Sequence, residues 1–274
     1  MLKTLKRSLT TLAFACVLIS SSSLLVTNLV HAKGVQFNIL SSTPIGSWQL
    51  REDTTTDSKG RAQVSVLRTS MLAKEPRNGE DHYWVEMEMN SFKVSKKGKR
   101  KASGDAVIFK VLIAQSAFNS NPGNIMMNLQ GFGAEMIMQS GKSDPMRMTG
   151  GGGFMGGLMK SLGVKVNHDF QDLGQESVSV AAGDFDANKI QGSGTTTAKI
   201  LFQSINVASD STAWLSSKVP FGIVKSEGTS TTNGKASTHS SQLLEYGLSG
   251  AVSKITKTPQ EMPKMPDLGG LFKN

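Results

Sequence analysis

The sequence predicts a mainly β protein built on an antiparallel sheet. Three observations lead to this prediction. Apolar and polar residues alternate in several segments, most clearly in 82–90, and this period of two is typical of a strand with one buried face. Glycine and proline repeatedly separate these segments, as they do between strands. Stretches with helical spacing are few, so we expect an α+β protein with little helix.

The first 32 residues predict an export signal. A basic start, an apolar middle, and small or aliphatic residues at Val30 and Ala32 are typical of a secretory signal peptide. We place the cleavage after Ala32, which predicts export to the periplasm of a Gram-negative envelope. An uncleaved anchor is the alternative, but the serine run 20–23 interrupts the apolar segment.

The charge and cysteine content of the remaining chain restrict its partners. Loss of the signal lowers the formal net charge from +9 to +6, and this modest basicity suits an anionic membrane surface. We expect no nucleic-acid partner for an exported protein. The only cysteine, Cys16, lies within the signal, and Ala13 argues against lipid attachment there. The mature chain is therefore predicted to have no disulfide, thiolate nucleophile or cysteine metal ligand.

Four predicted strands occupy the first part of the mature chain, at 46–52, 61–73, 82–90 and 105–113. In the third strand, alternation places Trp84, Glu86 and Glu88 on one face and an apolar set on the other. The apolar set contains Tyr83, Val85, Met87 and Met89. Polar turns are predicted at 53–60 and 75–81.

A basic segment lies between the third and fourth strands. Its six basic residues are Lys93, Lys96, Lys97, Lys99, Arg100 and Lys101. One interpretation is the solvated tip of a hairpin. The other is a contact for anionic headgroups, where each charge contributes about 1 kcal/mol.

Residues 121–149 are rich in methionine and predict two short strands, at 124–130 and 134–139. The methionines are Met126, Met127, Met136, Met138, Met146 and Met148. Flexible, polarisable thioethers suit either an irregular core or an adaptable apolar pocket. The Gly/Met-rich insertion 150–163 predicts a flexible segment that is a mobile lip, a membrane contact or a disordered insertion.

The central stretch 175–227 predicts two β-hairpins with small-residue corners. Gly183-Asp184 forms the first corner, and Val219-Pro220 bends the second. A Ser/Thr/Gly-rich turn is predicted at 228–238, followed by a last strand at 241–249. We expect one domain over 33–256 and a proline-containing tail over 257–274.

Three segments together resemble an uncharacterised family of exported bacterial proteins, similar to the LolA/LolB-like lipoprotein-carrier superfamily. They are Ile45-Gly-Ser-Trp with His82-Tyr-Trp-Val-Glu, Leu173-Gly-Gln-Glu-Ser-Val-Ser-Val-Ala-Ala-Gly-Asp-Phe-Asp-Ala, and Ala213-Trp-Leu-Ser-Ser-Lys-Val-Pro-Phe-Gly-Ile-Val-Lys. The resemblance implies a LolA-like fold: a strongly curved antiparallel sheet, or incomplete barrel, with helices closing its concave side. It also implies a concave apolar surface that holds acyl chains.

The sequence contains no complete motif for catalysis or cofactor binding. Gly141-Lys142-Ser143 has the ending of a phosphate loop, but Met136 stands where its first glycine is required. Glu86 and Glu88 point to the same side of a strand, and an exposed strand face explains them better than an acid–base pair. We therefore predict no enzyme activity and no cofactor.

No metal site is predicted either. His82, His168 and His239 are widely spaced and form no zinc-type pair. His168-Asp169 with Asp172 could ligate a cation, but a solvated turn is the better interpretation.

The preferred function is binding of a lipid or an acylated protein on a concave apolar sheet face. The candidate ligand-binding residues are Trp48, Trp84, Trp214, Phe109 and Met127. For the tryptophans, packing within the sheet is the alternative. Candidate contacts to an anionic membrane surface are Lys96, Lys97, Lys99, Arg100 and Lys101. The alternative function is a non-enzymatic envelope assembly factor that binds another protein through a sheet edge or the tail.

Overall fold

The computed structural model describes residues 43–119, 135–149, 165–200 and 203–261. Several predictions concern residues outside these ranges. They are the signal peptide 1–32 with its cleavage after Ala32, the strand at 124–130 with Met127, the insertion 150–163, and the tail after Glu261.

The described ranges form thirteen strands and one short helix, which confirms a mainly β protein with little helix. The elements are β1 (Trp48–Asp57), β2 (Ala62–Arg77), β3 (Glu80–Val94), β4 (Arg100–Ala102), β5 (Val107–Ala114), α1 (Gln115–Asn119), β6 (Glu135–Ser140), β7 (Met146–Thr149), β8 (Lys165–Val180), β9 (Gly183–Ile200), β10 (Gln203–Leu215), β11 (Ile223–Thr232), β12 (Lys235–Gly247) and β13 (Gln260–Glu261).

All thirteen strands belong to one open sheet. Its order is β13-β7-β6-β5-β3-β2-β1-β12-β11-β10-β9-β8, with β4 added beside β3. Neighbouring strands are antiparallel except β13 and β7, which are parallel. Most neighbours in the sheet are also neighbours in the sequence, so hairpins account for most of the pairing.

Contacts between distant strands join two parts of the sheet across one face. Phe221, in the β10–β11 connection, packs with Met71, Val85 and Val111 of β2, β3 and β5. Its backbone N–H donates to Thr43 Oγ1 at 2.9 Å. β2, β3 and β5 lie three, four and five places from β11 in the sheet order, or about 14–24 Å in a flat sheet. The β10–β11 connection therefore closes part of this face and completes its apolar core.

Three apolar clusters form the core. One contains Ile190, Ala213, Leu215 and Ile223 with Phe170; another contains Phe185, Val219, Val224 and Leu243; the third surrounds Phe221. Phe170 lies over Gly192, where an added Cβ would come within 2.5 Å of the ring. The Phe170 ring occupies the space that a side chain at position 192 would need, which explains why glycine stands there.

Three predicted turns are wrong in extent, because polar residues continue the strands. The turn predicted at 53–60 begins only after Asp57, where β1 ends. The region 228–238 is predicted as a turn, yet β11 and β12 run through it and meet only at Asn233 and Gly234. Both residues have positive φ, 47° and 79°, as the tightest hairpin turns require. The turn at 75–81 shortens in the same way to Asn78-Gly79. Threonine favours strands, so a run of small polar residues does not by itself mark a loop.

Candidate functional site

An apolar surface rich in methionine lies on one face of β3, β5, β6 and β7. The register aligns its residues in two neighbouring rows across these strands. We call this surface the methionine face; its rows are Met87–Phe109–Met138–Met146 and Val85–Val111–Met136–Met148. The predicted alternation of β3 is confirmed here, because Tyr83, Val85 and Met87 pack in one cluster, together with Val111 and Ile113 of β5.

The two rows of the methionine face differ in burial on β3 and β5, whereas the four methionines of β6 and β7 are all half-buried. Val85 and Val111 are 5% and 1% exposed, respectively. Met87, Phe109 and Met138 are only half-buried. Large apolar side chains that remain partly exposed next to one another are typical of a binding surface.

The three tryptophans lie on the opposite face from Phe109. Trp48 aligns with Ser70 and then with Glu86, whereas Phe109 aligns with Met87. Trp84 precedes Glu86 by two residues and so shares its face. Trp214 reaches the same side, because its row runs through Lys225 to Glu52 of β1. This corrects the expectation that Phe109 and the tryptophans share one apolar surface.

Each tryptophan ring already has a cationic partner. Arg68 Cζ lies 3.9 Å from the centre of the Trp48 ring, and Lys110 Nζ lies 5.2 Å from that of Trp84. Two lysines lie over Trp214, with Lys225 Nζ at 4.5 Å and Lys189 Nζ at 5.4 Å from the centre of its ring. Such contacts contribute about 0.5–1 kcal/mol each at exposed sites.

Carboxylates complete two of these arrangements. The indole N–H of Trp84 donates to Glu75 and that of Trp214 to Glu176, each at 3.0 Å. The pKa of Glu176 is lowered, first by its hydrogen bond from Lys189 and then by that from Trp214. The surroundings of Trp84 and Trp214 are therefore a network of rings and charges. Ile108, Leu112 and Ile137 are buried on the same side of β5 and β6.

A buried polar row runs along β1, and the sequence analysis missed it. Gln49, Arg51 and Asp53 are 2%, 4% and 9% exposed. Ser241 of β12 is the register partner of Asp53, and His239 follows two residues away on the same side. We call these five residues the polar interior. The sequence signal was their spacing of two residues, but hydrophobic periodicity favours the alternate positions, Trp48 and Leu50, as the buried face.

The polar interior is incompletely satisfied. Arg51 Nη2 lies 3.7 Å from Asp53 Oδ2, which is a loose ion pair. Each residue of the polar interior has one buried side-chain atom without a hydrogen-bond partner in the described structure: Gln49 Oε1, Arg51 Nε, Asp53 Oδ1, His239 Nε2 and Ser241 Oγ. Burial lowers the pKa of His239, and the charge of Asp53 acts in the opposite direction. The His239 ring lies over Gly228, where an added Cβ would come within 2.7 Å of His239 Cε1.

The basic segment forms a hairpin tip between β3 and β4. The tip lysines Lys93, Lys96, Lys97, Lys99 and Lys101 are exposed. Arg100 instead donates two hydrogen bonds to Glu52, at 2.7 and 2.9 Å, and this partner raises its pKa. The exposed lysines agree with the interpretation of this segment as a solvated hairpin tip. Contact with anionic headgroups stays a prediction.

The prediction that Glu86 lies on an exposed strand face is wrong. Glu86 is 3% exposed, and its two oxygens accept hydrogen bonds from the Ser253 hydroxyl and the Lys254 N–H. The segment after β12 therefore crosses this face of the sheet and covers the carboxylate. A carboxylate held by two such donors orients the chain segment that follows β12.

The described ranges hold no group of three or more His, Cys, Asp or Glu residues that could bind a metal ion. Within the same ranges, no helix combines the length and the apolar character needed to span a bilayer.

Comparison with solved structures finds several distant likenesses. The chain is similar to a protein from Parabacteroides distasonis described as "a putative lipoprotein", at 15% identity and a TM-score of 0.33, covering 75% of this chain and 98% of that chain. It is also similar to "a putative exported protein with YmcC-like fold" from Bacteroides fragilis, at 14% identity and a TM-score of 0.32, covering 75% and 97%. No family model and no curated protein matches the sequence. Likeness at this level assigns neither a family nor a function.

Proposed function

We propose that this protein is an exported, non-catalytic carrier that binds a lipid or the acyl chain of a lipoprotein on the methionine face. It would act in the periplasm after cleavage behind Ala32. One observation carries the proposal: the row Met87–Phe109–Met138–Met146 stays half-buried beside Val85 and Val111, which are buried in the core.

The chemistry of this row suits a flexible apolar ligand. An acyl chain needs contact area rather than directed hydrogen bonds, and burial of apolar area contributes about 25 cal/mol per Å². Methionine side chains adapt to ligands of different shape because they are unbranched and polarisable. The opposite face offers no comparable surface in the described strands, since its tryptophans already contact cations.

The basic tip supports a role near a membrane. β3 carries both Met87 of the methionine face and Lys93 of the basic tip. These two residues are six positions apart on the strand, or about 20 Å. Exposed lysines at the tip would attract an anionic leaflet, with about 1 kcal/mol for each charge near the surface. This arrangement would hold the methionine face close to the lipids from which a chain is taken.

Palmitate binding and native mass spectrometry test the proposal. We expect the purified protein to carry co-purifying lipid and to bind palmitate, and Phe109→Glu to weaken palmitate binding at least about tenfold because it places a charge in the apolar row. The matched control is Lys110→Glu, which introduces the same charge one residue later on the tryptophan side. Phe109→Ala, with its smaller disturbance, should weaken binding in the same direction. A parent protein that neither carries lipid nor binds palmitate contradicts the proposal.

A second candidate function is protein binding at a sheet edge, as in an envelope assembly factor. The observation that favours it is β13, which adds to β7 in parallel through Gln260 N–H and Pro145 O at 2.8 Å. This edge therefore accepts an extended segment by main-chain pairing. Deletion of residues 258–274 separates the two candidates. Palmitate binding should survive the deletion, whereas crosslinking to an envelope partner should change if that edge binds protein.

A further inference from the structure

The β6–β7 hairpin brings two Met-x-Met segments directly opposite each other. Met136 aligns with Met148, and Met138 aligns with Met146. Residues two apart on a strand share a face, so all four thioethers lie on one side of the hairpin. In each segment a single residue separates the two methionines, Ile137 in β6 and Arg147 in β7.

The spacing of these four residues suits a small ion. Directly opposed Cβ atoms lie about 5 Å apart across a strand pair, and residues two apart on one strand lie about 7 Å apart. Methionine has three rotatable side-chain bonds, so its sulfur can be directed toward the centre of such a rectangle. Three or four sulfurs can therefore meet at one point without a change in the backbone.

The charges around the hairpin leave this side open to a cation. Arg147 alternates with the methionines, so it points to the other face, where its Nε lies 3.0 Å from Glu135 Oε1. Lys110, the register partner of Ile137, lies on that other face too, near Trp84. On the methionine side, the neighbours across β5 are Phe109 and Val111, which carry no charge.

We propose that Met136, Met138, Met146 and Met148 form a binding site for a soft monovalent cation, Cu(I) in the cell, with Ag(I) as its chemical analogue. Neutral thioethers select Cu(I) over hard or borderline ions, which prefer oxygen and nitrogen ligands. The site is distinct from lipid binding, because it depends on the sulfur atoms rather than on the apolar area. Neither proposal requires the other.

The chain contains its own comparison for this site. Met87 and Met89 on β3 also form a Met-x-Met segment on the same face of the sheet. Their register partners on β5 are Phe109 and Val107, so no second pair of thioethers stands opposite them. One Met-x-Met pair alone supplies only two sulfurs, which is fewer than the β6–β7 hairpin offers.

Ag(I) titration of the purified full chain tests the proposal. A Cys16→Ser background removes the one thiol that would compete for the ion. The site variant is Met138→Leu with Met146→Leu, and the matched control is Met87→Leu with Met89→Leu. We expect a single tight Ag(I) site that weakens at least about tenfold in the site variant and is unchanged in the control. Methionine-methyl NMR should show Ag(I) shifts confined to the four site residues, and Zn(II) should cause none.

The outcomes separate this site from the lipid proposal. The cation site is judged by Ag(I) binding alone, because Met138 and Met146 also belong to the row proposed to hold a lipid. Loss of Ag(I) binding in the site variant, with Ag(I) binding retained in the Met87→Leu, Met89→Leu control, supports the cation site. Equal weakening in both double variants, gradual shifts of all methionines, or no stoichiometric Ag(I) binding would overturn it, whatever the palmitate result.

Discussion

The methionine face and the polar interior lie on the same side of one sheet, yet their chemistry and burial are reversed. A single register row shows the change, because it passes from Gln49 through Thr69 to Met87. Gln49 and Thr69 are 2% and 8% exposed, whereas Met87 is half-buried. The polar end of the row is enclosed, and the apolar end is accessible.

This contrast shows that burial here follows position in the sheet rather than hydrophobicity. Enclosed polar groups without partners lower stability, since an unsatisfied buried group costs about 1–3 kcal/mol. Accessible apolar groups also forgo stabilisation that full burial would give. Both departures are expected where a protein retains a surface for binding instead of maximising its stability.

The largest expected loss of unfolding free energy comes from breaking the buried ion pair between Arg51 and Asp53. Arg51→Met leaves the Asp53 carboxylate buried beside an apolar side chain, and breaking a buried pair in this way costs about 3–5 kcal/mol. Urea unfolding measures the loss. The matched control is Arg68→Met, which removes a partly exposed arginine from Trp48 on the other face and should cost about 1 kcal/mol. If both variants lose the same amount, the polar interior is not the enclosed region that its burial indicates.

A double variant sharpens this test. Arg51→Met with Asp53→Leu removes both charges, so it should recover much of the stability that Arg51→Met alone loses. A double variant as unstable as the sum of the two single variants would show that the residues do not interact.

The next largest effect is the difference in stability cost between substituting a core methionine, Met71, and a methionine of the methionine face, Met138. Met71 is 0% exposed, and Met71→Ala should cost about 2–5 kcal/mol of unfolding free energy because it leaves a cavity. Met138→Ala should cost about 1 kcal/mol or less, because Met138 is half-buried. Chemical denaturation of the two variants gives the comparison. A large loss from Met138→Ala would mean that the methionine face serves the core rather than a ligand.

The smallest expected effect is a dependence on pH. The pKa of His239 is lowered in the folded chain, mainly by burial. The unfolded chain, with a histidine pKa of about 6.5, therefore binds the proton first as the pH falls. This contribution to stability is complete above that value and is lost as the pH falls toward the folded-state pKa.

Denaturant midpoints between neutral pH and about pH 5 measure this slope. His239→Gln should flatten the dependence. Carboxylates with a lowered pKa, such as Glu176, titrate at lower pH and do not contribute in this window. An unchanged slope in His239→Gln would assign the dependence to another group.

Strand alternation predicted much of the fold and part of the candidate site. It placed Tyr83, Val85 and Met87 together, and the structure packs them in one cluster. It also placed Trp84 on the other face. It did not identify the polar interior, because hydrophobic periodicity makes the apolar face of β1 the expected interior, whereas Arg51 and Asp53 are the buried residues. Their cover depends on the whole fold, so no local pattern contains it.

The position of Glu86 shows the same limit. Its carboxylate is covered by Ser253 and Lys254, which lie more than 160 residues later in the chain. A sequence pattern within β3 carries no information about a segment that returns from so far away. The Ser/Thr run before β12 was misjudged for a related reason, since its strand conformation depends on its sheet neighbours.

By itself, the sequence determined a mainly β chain, the alternation of its strands and the Met-x-Met segments, because these follow from local side-chain order and backbone geometry. Only the tertiary structure decided which face each strand buries, which methionines stand opposite each other, and that the tryptophans contact cations. The physical reason is that a strand has two faces of fixed composition, but register and covering segments, set by residues far away in the chain, determine what each face contacts.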